Sequence, residues 1–260
     1  MTGYEGAYSA DRSIAGKLRR RLVRLAHKRP LTVAPQTPMV SFTFDDAPLS
    51  STIAGAALLE TRGLAGTYYV SAGLAGQAAP MGVCAEQVDY QRLARAGHEI
   101  ACHTYGHLDC GRAKPAQAWE DTARNARALA DWGLFEVENF AYPYGEVAGG
   151  PKQALAKRYA TLRALHHGVV TAGTDLNQLP AVGIEGPDGE AVARRWLAEA
   201  KARTAWLILY THDVRPDPSP WGCTPEVLAR LIDTATHDGF QVVTVREAMR
   251  RLQPAASHAA

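Results

Sequence analysis

From residue 39 onward, short apolar runs alternate with amphipathic stretches. The runs at 39–44, 66–71, 98–102, 138–143, 158–163, 181–184, 205–211 and 240–244 are rich in β-branched and aromatic residues and predict strands. Stretches near 51–62, 87–96, 115–132, 190–202, 224–238 and 246–252 carry helical periodicity. The segments 72–86 (Gly/Ala-rich) and 213–223 (Pro-rich) read as loops. Strand–helix alternation predicts a mainly parallel sheet with covering helices. Seven or eight such units in one chain fit an α/β fold of the barrel type better than two domains. The expected division is a basic amphipathic segment over 1–35 and a single barrel domain over 36–255.

The N-terminal segment has its own pattern. Ile14, Leu18, Leu22 and Leu25 recur at helical spacing within 12–29, with basic residues on the other faces. Ser13 can cap the start, and Pro30 stops the run. Charge sharpens the division. Residues 11–30 hold eight basic residues against Asp11, or +7, while the whole chain carries +2, so the remainder is at −5. A basic amphipathic helix on an acidic body points to an anionic membrane surface, or to a helix docked by its apolar stripe. Nucleic acid is not expected, because the body is acidic and no recognition motif occurs. The start of the chain lacks a basic-then-apolar leader, and no run of 18 or more apolar residues occurs. These features set the expectation of a cytoplasmic protein without a transmembrane helix, with peripheral contact at the inner membrane face. Cys84, Cys102, Cys110 and Cys223 lack CxxC spacing and are expected to be reduced thiols.

Candidate chemistry sits at strand ends, where parallel barrels place their active residues. The run Met39–Phe44 ends in Asp45 and Asp46. Two adjacent acids repel and lose solvation unless a positive object, such as a metal ion, sits beside them. Past the strand at 98–102 come His103 and His107. An i, i+4 pair converges on one ion if the intervening residues turn helically. Alone the pair also fits ordinary loop histidines. With Asp46 it makes a His₂–carboxylate set with open coordination positions, suited to Zn²⁺, Co²⁺ or Ni²⁺. Tyr142-Pro143-Tyr144-Gly145 follows another strand and can line a groove or offer a backbone N–H to an oxyanion. The apolar strand 205–211 ends at His212, a titratable imidazole at the same rim. Neither G-x-S-x-G nor G-x-x-x-x-G-K-[ST] occurs, which argues against serine-hydrolase and phosphate-loop chemistry.

The ordered set Thr43-Phe44-Asp45-Asp46, His103-Thr-x-x-His107, Tyr142-Pro-Tyr-Gly145 and Leu209-x-x-His212 resembles the polysaccharide deacetylases of carbohydrate esterase family 4, the NodB-homology group. The resemblance spans about residues 38–250, and its first two motifs are specific as a pair. It looks closest to the bacterial exopolysaccharide deacetylases, the holdfast type among them. The resemblance implies a distorted (β/α)₇-type barrel with one divalent metal, Zn²⁺ first, that removes N-acetyl groups from an N-acetylated polysaccharide or oligosaccharide. It implies Asp46, His103 and His107 as metal ligands, Asp45 as the base and His212 as the acid. It implies the Tyr144 N–H as an oxyanion donor and Leu209 as part of the acetyl pocket. Trp221 is a candidate sugar-stacking wall.

Two positions depart from the family pattern. Where an arginine normally pairs with the base aspartate, this chain has Ala141, and Arg163 in a later strand is the candidate substitute. No match stands for the aspartate that orients the catalytic histidine, and Asp175 is the candidate. Two alternatives follow: a non-catalytic carbohydrate-binding relative, which the missing arginine allows, and a deacylase of a small lipid-linked sugar. Whether the chain forms a homodimer stays open.

Overall fold

The strand Met39–Asp45 (β1) is buried at all seven positions. Its alternation divides the two sides of the sheet. Val40, Phe42 and Phe44 join the core against the helices, while Met39 packs in the barrel interior with Trp206 and Ile208. The computed structural model describes residues 21–253, and everything below refers to these.

Around β1 runs a parallel sheet. Thr67–Val70 (β2) pairs with its C-terminal half. A two-stranded hairpin, Ala78–Ala79 (β3) and Gly82–Val83 (β4), lies within the expected 72–86 loop. Beyond β2 come Glu99–Cys102 (β5), Asn139–Ala141 (β6) and Thr161–Arg163 (β7), each parallel to the last. On the other side of β1, Trp206–Thr211 (β9) pairs over six positions, followed by Val182–Gly183 (β8). Gln241–Val242 (β10) pairs with the first two residues of β1.

The sheet curls into a distorted (β/α)₇-type barrel. The chain at 176–183 links its two margins: Leu162 N–H donates to Leu176 O and Leu179 N–H to Leu162 O, while Val182 pairs with Leu209. Trp206, fully buried in the interior, donates from Nε1 to Ser41 Oγ at 2.9 Å.

The helices cover the outside as their periodicity predicts. Pro115–Asp131, Gly189–Ala202, Pro225–His237 and Val245–Leu252 bury one face each. The short helix Gly149–Leu155 has no counterpart in the sequence reading; its two leading glycines and a proline masked the periodicity. The expected strand at 240–244 stops early, because Thr244 turns to cap the next helix and its Oγ1 accepts from Glu247 N–H at 3.1 Å. All four cysteines are buried free thiols. No helix among the described residues is long and apolar enough to cross a membrane.

Of the basic N-terminal helix, residues 12–20 lie outside the described residues. Its end, 21–25, is helical and docked on the body. Val23 is buried, and its carbonyl accepts from Lys152 Nζ at 3.0 Å. Leu22 and Leu25 are 57% and 63% exposed.

The packing makes a contrast that can be measured. Leu231→Ala empties a fully buried position in the helix-facing core and is expected to cost about 2–5 kcal/mol in urea unfolding. Phe135→Ser, at a position 78% exposed, is expected to stay within about 0.5 kcal/mol of wild type.

Candidate active site and metal centre

At the C-terminal end of β1 the backbone turns left-handed at Asp46 (φ 56°) and Ala47 (φ 42°). This conformation costs a non-glycine residue of order 1–3 kcal/mol and persists only where its surroundings enforce it. Its effect here is to send two consecutive carboxylates to different partners. Asp45 meets Arg163, with Nη2 2.5 Å from Oδ1. Asp46 meets two histidines: its Oδ1 lies 3.7 Å from His103 Nε2 and 3.4 Å from His107 Nε2.

His103 directly follows β5, and His107 returns to it through a loop that is not helical. The expected helical turn is replaced by left-handed residues at Thr104 (φ 63°) and His107 (φ 55°). Side chains from elsewhere hold this loop. Asp121 Oδ1 accepts from Tyr105 N–H at 2.6 Å and Gly106 N–H at 3.2 Å. Thr104 Oγ1 accepts from Leu108 N–H at 2.8 Å, and Ser71 Oγ donates to His103 O at 2.7 Å.

The three side chains fit a divalent metal. One ligand atom from each of Asp46, His103 and His107 lies within 4.8 Å of the other two. His103 Nδ1 stands 2.8 Å from Ala141 O, so Nδ1–H donates there and the Nε2 lone pair faces Asp46. Burial pushes the His103 pKa down to about 4, so the ring is neutral, as a ligand must be. Two imidazoles and one carboxylate leave coordination positions for water and substrate.

Arg163, the candidate substitute for the arginine absent at Ala141, pairs with Asp45. It is fully buried on β7, and its register partner on β6 is Ala141. The guanidinium therefore reaches Asp45 from one strand further along the sheet. Tyr69 and Tyr210 flank it, with ring centroids 4.7 and 5.3 Å away.

His212 closes the site. Its Nε2 lies 4.0 Å from Asp46 Oδ2, and its Nδ1 lies 3.2 Å from Glu185 Oε1. Glu185 Oε2 also accepts from Tyr210 Oη at 3.2 Å. Burial alone would lower the His212 pKa. The hydrogen bond to Glu185 and the charges of Asp45, Asp46 and Glu185 outweigh that and raise it to about 9.

The carboxylate beside His212 is thus Glu185 and not Asp175, and His212 Nδ1 also lies 3.2 Å from Trp221 O. Asp175 lies elsewhere, 2.7 Å from Lys152 Nζ, and accepts from Arg29 N–H at 2.9 Å and Asn177 N–H at 3.0 Å. Glu185 stands two residues after β8, a carboxylate past a strand end like Asp46. That position, directly after the expected strand 181–184, was the available signal. Leu209 is also displaced from its expected role. It is buried in the core between sheet and helices, while Tyr210 takes the inward position beside Arg163 and Glu185.

The remaining candidates lie at the rim. Tyr144 sits in a tight turn with φ 60°, its ring edge-on to His107 at 4.5 Å between centroids. Trp221 is 36% exposed, and its carbonyl accepts from His212 N–H at 3.0 Å. Its loop is pinned by Asp213, which accepts from Ser219 N–H at 2.8 Å and Ser219 Oγ at 2.5 Å.

A curled parallel barrel with a His₂–carboxylate cluster, a paired acid and a paired histidine at its C-terminal rim describes a hydrolase-type site. The chain belongs to the polysaccharide deacetylase family, whose model matches residues 32–161, half of the chain. No curated protein sequence matches it. Among solved structures, it is similar to a Mycobacterium smegmatis protein assigned to the polysaccharide deacetylases, at 18% identity and TM-score 0.64, covering 85% of this chain and 95% of that one. It is also similar to a family 4 acetyl xylan esterase from Clostridium thermocellum in complex with cobalt, at 20% identity and TM-score 0.54, covering 82% and 91%. A third is a family 4 pseudoenzyme from Bacillus anthracis, at 16% identity and TM-score 0.54, covering 82% and 66%.

The buried pair at the base of the site gives an equilibrium test. Arg163→Met leaves the Asp45 carboxylate without its cation and is expected to cost about 3–5 kcal/mol in denaturant unfolding. Adding Asp45→Asn is expected to restore part of that loss, because the uncompensated charge is then gone.

Proposed function

We propose that the protein is a metal-dependent hydrolase that removes the N-acetyl group from N-acetylhexosamine residues of a bacterial exopolysaccharide or its lipid-linked precursor. The observation that carries this reading is the pairing of opposites across the Asp46–His103–His107 cluster. On one side Arg163 pairs with Asp45, and on the other Glu185 stands beside His212 and raises its pKa. A base and an acid flanking one electrophile are what amide hydrolysis needs, because the nitrogen departs only once protonated.

A divalent ion held by Asp46, His103 and His107, Zn²⁺ by preference with Co²⁺ or Ni²⁺ as alternatives, supplies Lewis acidity toward a carbonyl and toward water. Asp45 takes the proton from the attacking water. Arg163, buried and pinned between two tyrosine rings, keeps Asp45 oriented through their ion pair. The Tyr144 backbone N–H serves the oxygen on which negative charge develops. His212, protonated by virtue of Glu185, gives its Nε2 proton to the leaving nitrogen. Trp221, at the rim above His212, offers an apolar face to a sugar ring.

The N-terminal segment supports action at an anionic membrane surface. Exposed Leu22 and Leu25 sit beside the basic Arg21, Arg24 and Lys28. The competing reading, a sugar-binding relative without turnover, draws on the pseudoenzyme with the same fold. The complete set of acid, base and ligands disfavours it.

Three measurements test the proposal. Asp45→Asn is expected to bind metal as wild type does while acetate release from N-acetylglucosamine oligomers falls about 10²–10⁴-fold; loss of metal together with activity would reassign Asp45 as a ligand. In the pH profile, His212 works protonated, so activity declines as pH rises through its pKa. Glu185→Gln removes an interaction that raises this pKa and is expected to move the alkaline limb to lower pH; an unmoved limb would remove His212 as the acid. Leu22→Ser with Leu25→Ser is expected to weaken binding to phosphatidylserine vesicles without changing soluble-oligomer turnover. Unchanged vesicle binding would count against membrane contact through this segment.

A further inference from the structure

Beside Tyr144, on the side of the N-terminal segment, two adjoining cavities lie outside the catalytic set. The first, about 170 Å³, is lined by Tyr144, Gly145, Glu146, Arg24, His166 and Gln178. The second, about 290 Å³, shares Arg24, His166 and Gln178 and adds Lys28 and His167. The first cavity shares Tyr144 with the metal cluster, since the Tyr144 ring packs edge-on to His107. The second lies against the basic end of the N-terminal segment.

Their chemistry differs. The first has an acid, Glu146, on its wall. The second is bordered by two cations and two imidazoles, Arg24, Lys28, His166 and His167. Its acid, Asp175, is already engaged by Lys152 at 2.7 Å and by two backbone N–H groups. His166 adds a second observation: its Nδ1 is buried and has no hydrogen-bond partner among the described residues. A buried imidazole nitrogen left without a partner is costly unless a ligand or water completes it. Burial, with Arg24 and Lys152 nearby, lowers its pKa to about 4, so it stands neutral until an anion enters.

We propose that the second cavity seats a phosphate or diphosphate group of the substrate, so that the acetylated sugar is carried on a phosphate ester. This rests on the deacetylase reading and narrows its substrate class. A multiply charged anion matches two full cations with two imidazoles better than a single carboxylate does, and Arg24 can grip phosphate oxygens in a bidentate manner. Exposed Leu22 and Leu25, next to Arg24, favour a lipid carrier over a soluble nucleotide as the source of that phosphate.

The direct test is calorimetric titration of inorganic pyrophosphate into the full-length protein freed of metal by chelation. Wild type is expected to bind one pyrophosphate per chain, and Arg24→Ala with Lys28→Ala at these exposed positions to weaken it at least tenfold. No binding, or equal binding by the variant, would overturn the proposal. A kinetic arm uses the metal-loaded protein. The same double variant is expected to raise KM for N-acetylglucosamine on a short prenyl diphosphate at least tenfold more than KM for neutral oligomers; an equal rise for both would overturn it. A nucleoside-diphosphate sugar, run in parallel, identifies the source, since a lower KM for either diphosphate sustains the anion seat. If wild type deacetylates none of these sugars, the catalytic reading fails, while the pyrophosphate titration still decides the seat.

Discussion

The buried ion pair between Arg163 and Asp45 is the contact on which the site depends. An aspartate at the floor of a barrel rim would otherwise lose solvation and be repelled by its neighbour Asp46. Arg163 removes both problems for Asp45, and the metal ligands surround Asp46. The left-handed turn at Asp46 makes the separation possible, and it is one of several. Of the seven non-glycine residues with positive φ among those described, five (Asp46, Ala47, Thr104, His107 and Tyr144) gather at this rim. Strain on that scale persists where packing enforces it. The rigid barrel and the anchors Asp121, half-buried, and Ser71, buried, supply that enforcement.

The same sheet geometry explains how an arginine on β7 reaches Asp45 on β1. Ala141 and Arg163 are register neighbours on parallel strands, and strands in a sheet lie about 4.8 Å apart. A long guanidinium side chain spans that step. The backbone carbonyl of Ala141 meanwhile keeps a separate duty, fixing the tautomer of His103. One β-pair thus holds Asp45 and His103 together. On the opposite margin, Glu185 stands against Tyr210 and His212.

What was legible in the sequence follows from how local each feature is. The apolar run ending in Asp45 and Asp46, and the i, i+4 histidines, carry their meaning within a few residues. The strand–helix alternation likewise reveals the parallel barrel. Arg163 could be nominated only because the expected arginine was absent from position 141. Glu185 and Asp121 act across long sequence separations, through strands and loops whose register the pattern does not encode. Leu209 was misplaced by one position, and in a strand a shift of one residue moves a side chain to the other face. The helix Gly149–Leu155 and the hairpin within 72–86 were obscured by glycine and alanine, which carry little periodic signal.

The central claim is that acetate release requires the Asp46–His103–His107 cluster to hold one divalent ion. It is tested most directly by measuring acetate release from N-acetylglucosamine oligomers while the chelated protein is reloaded stepwise with Zn²⁺. The account predicts release that rises with occupancy and saturates at one ion per chain, and none from His103→Ala. Full occupancy with sugar bound and no acetate released, or release undiminished by chelation, would contradict it.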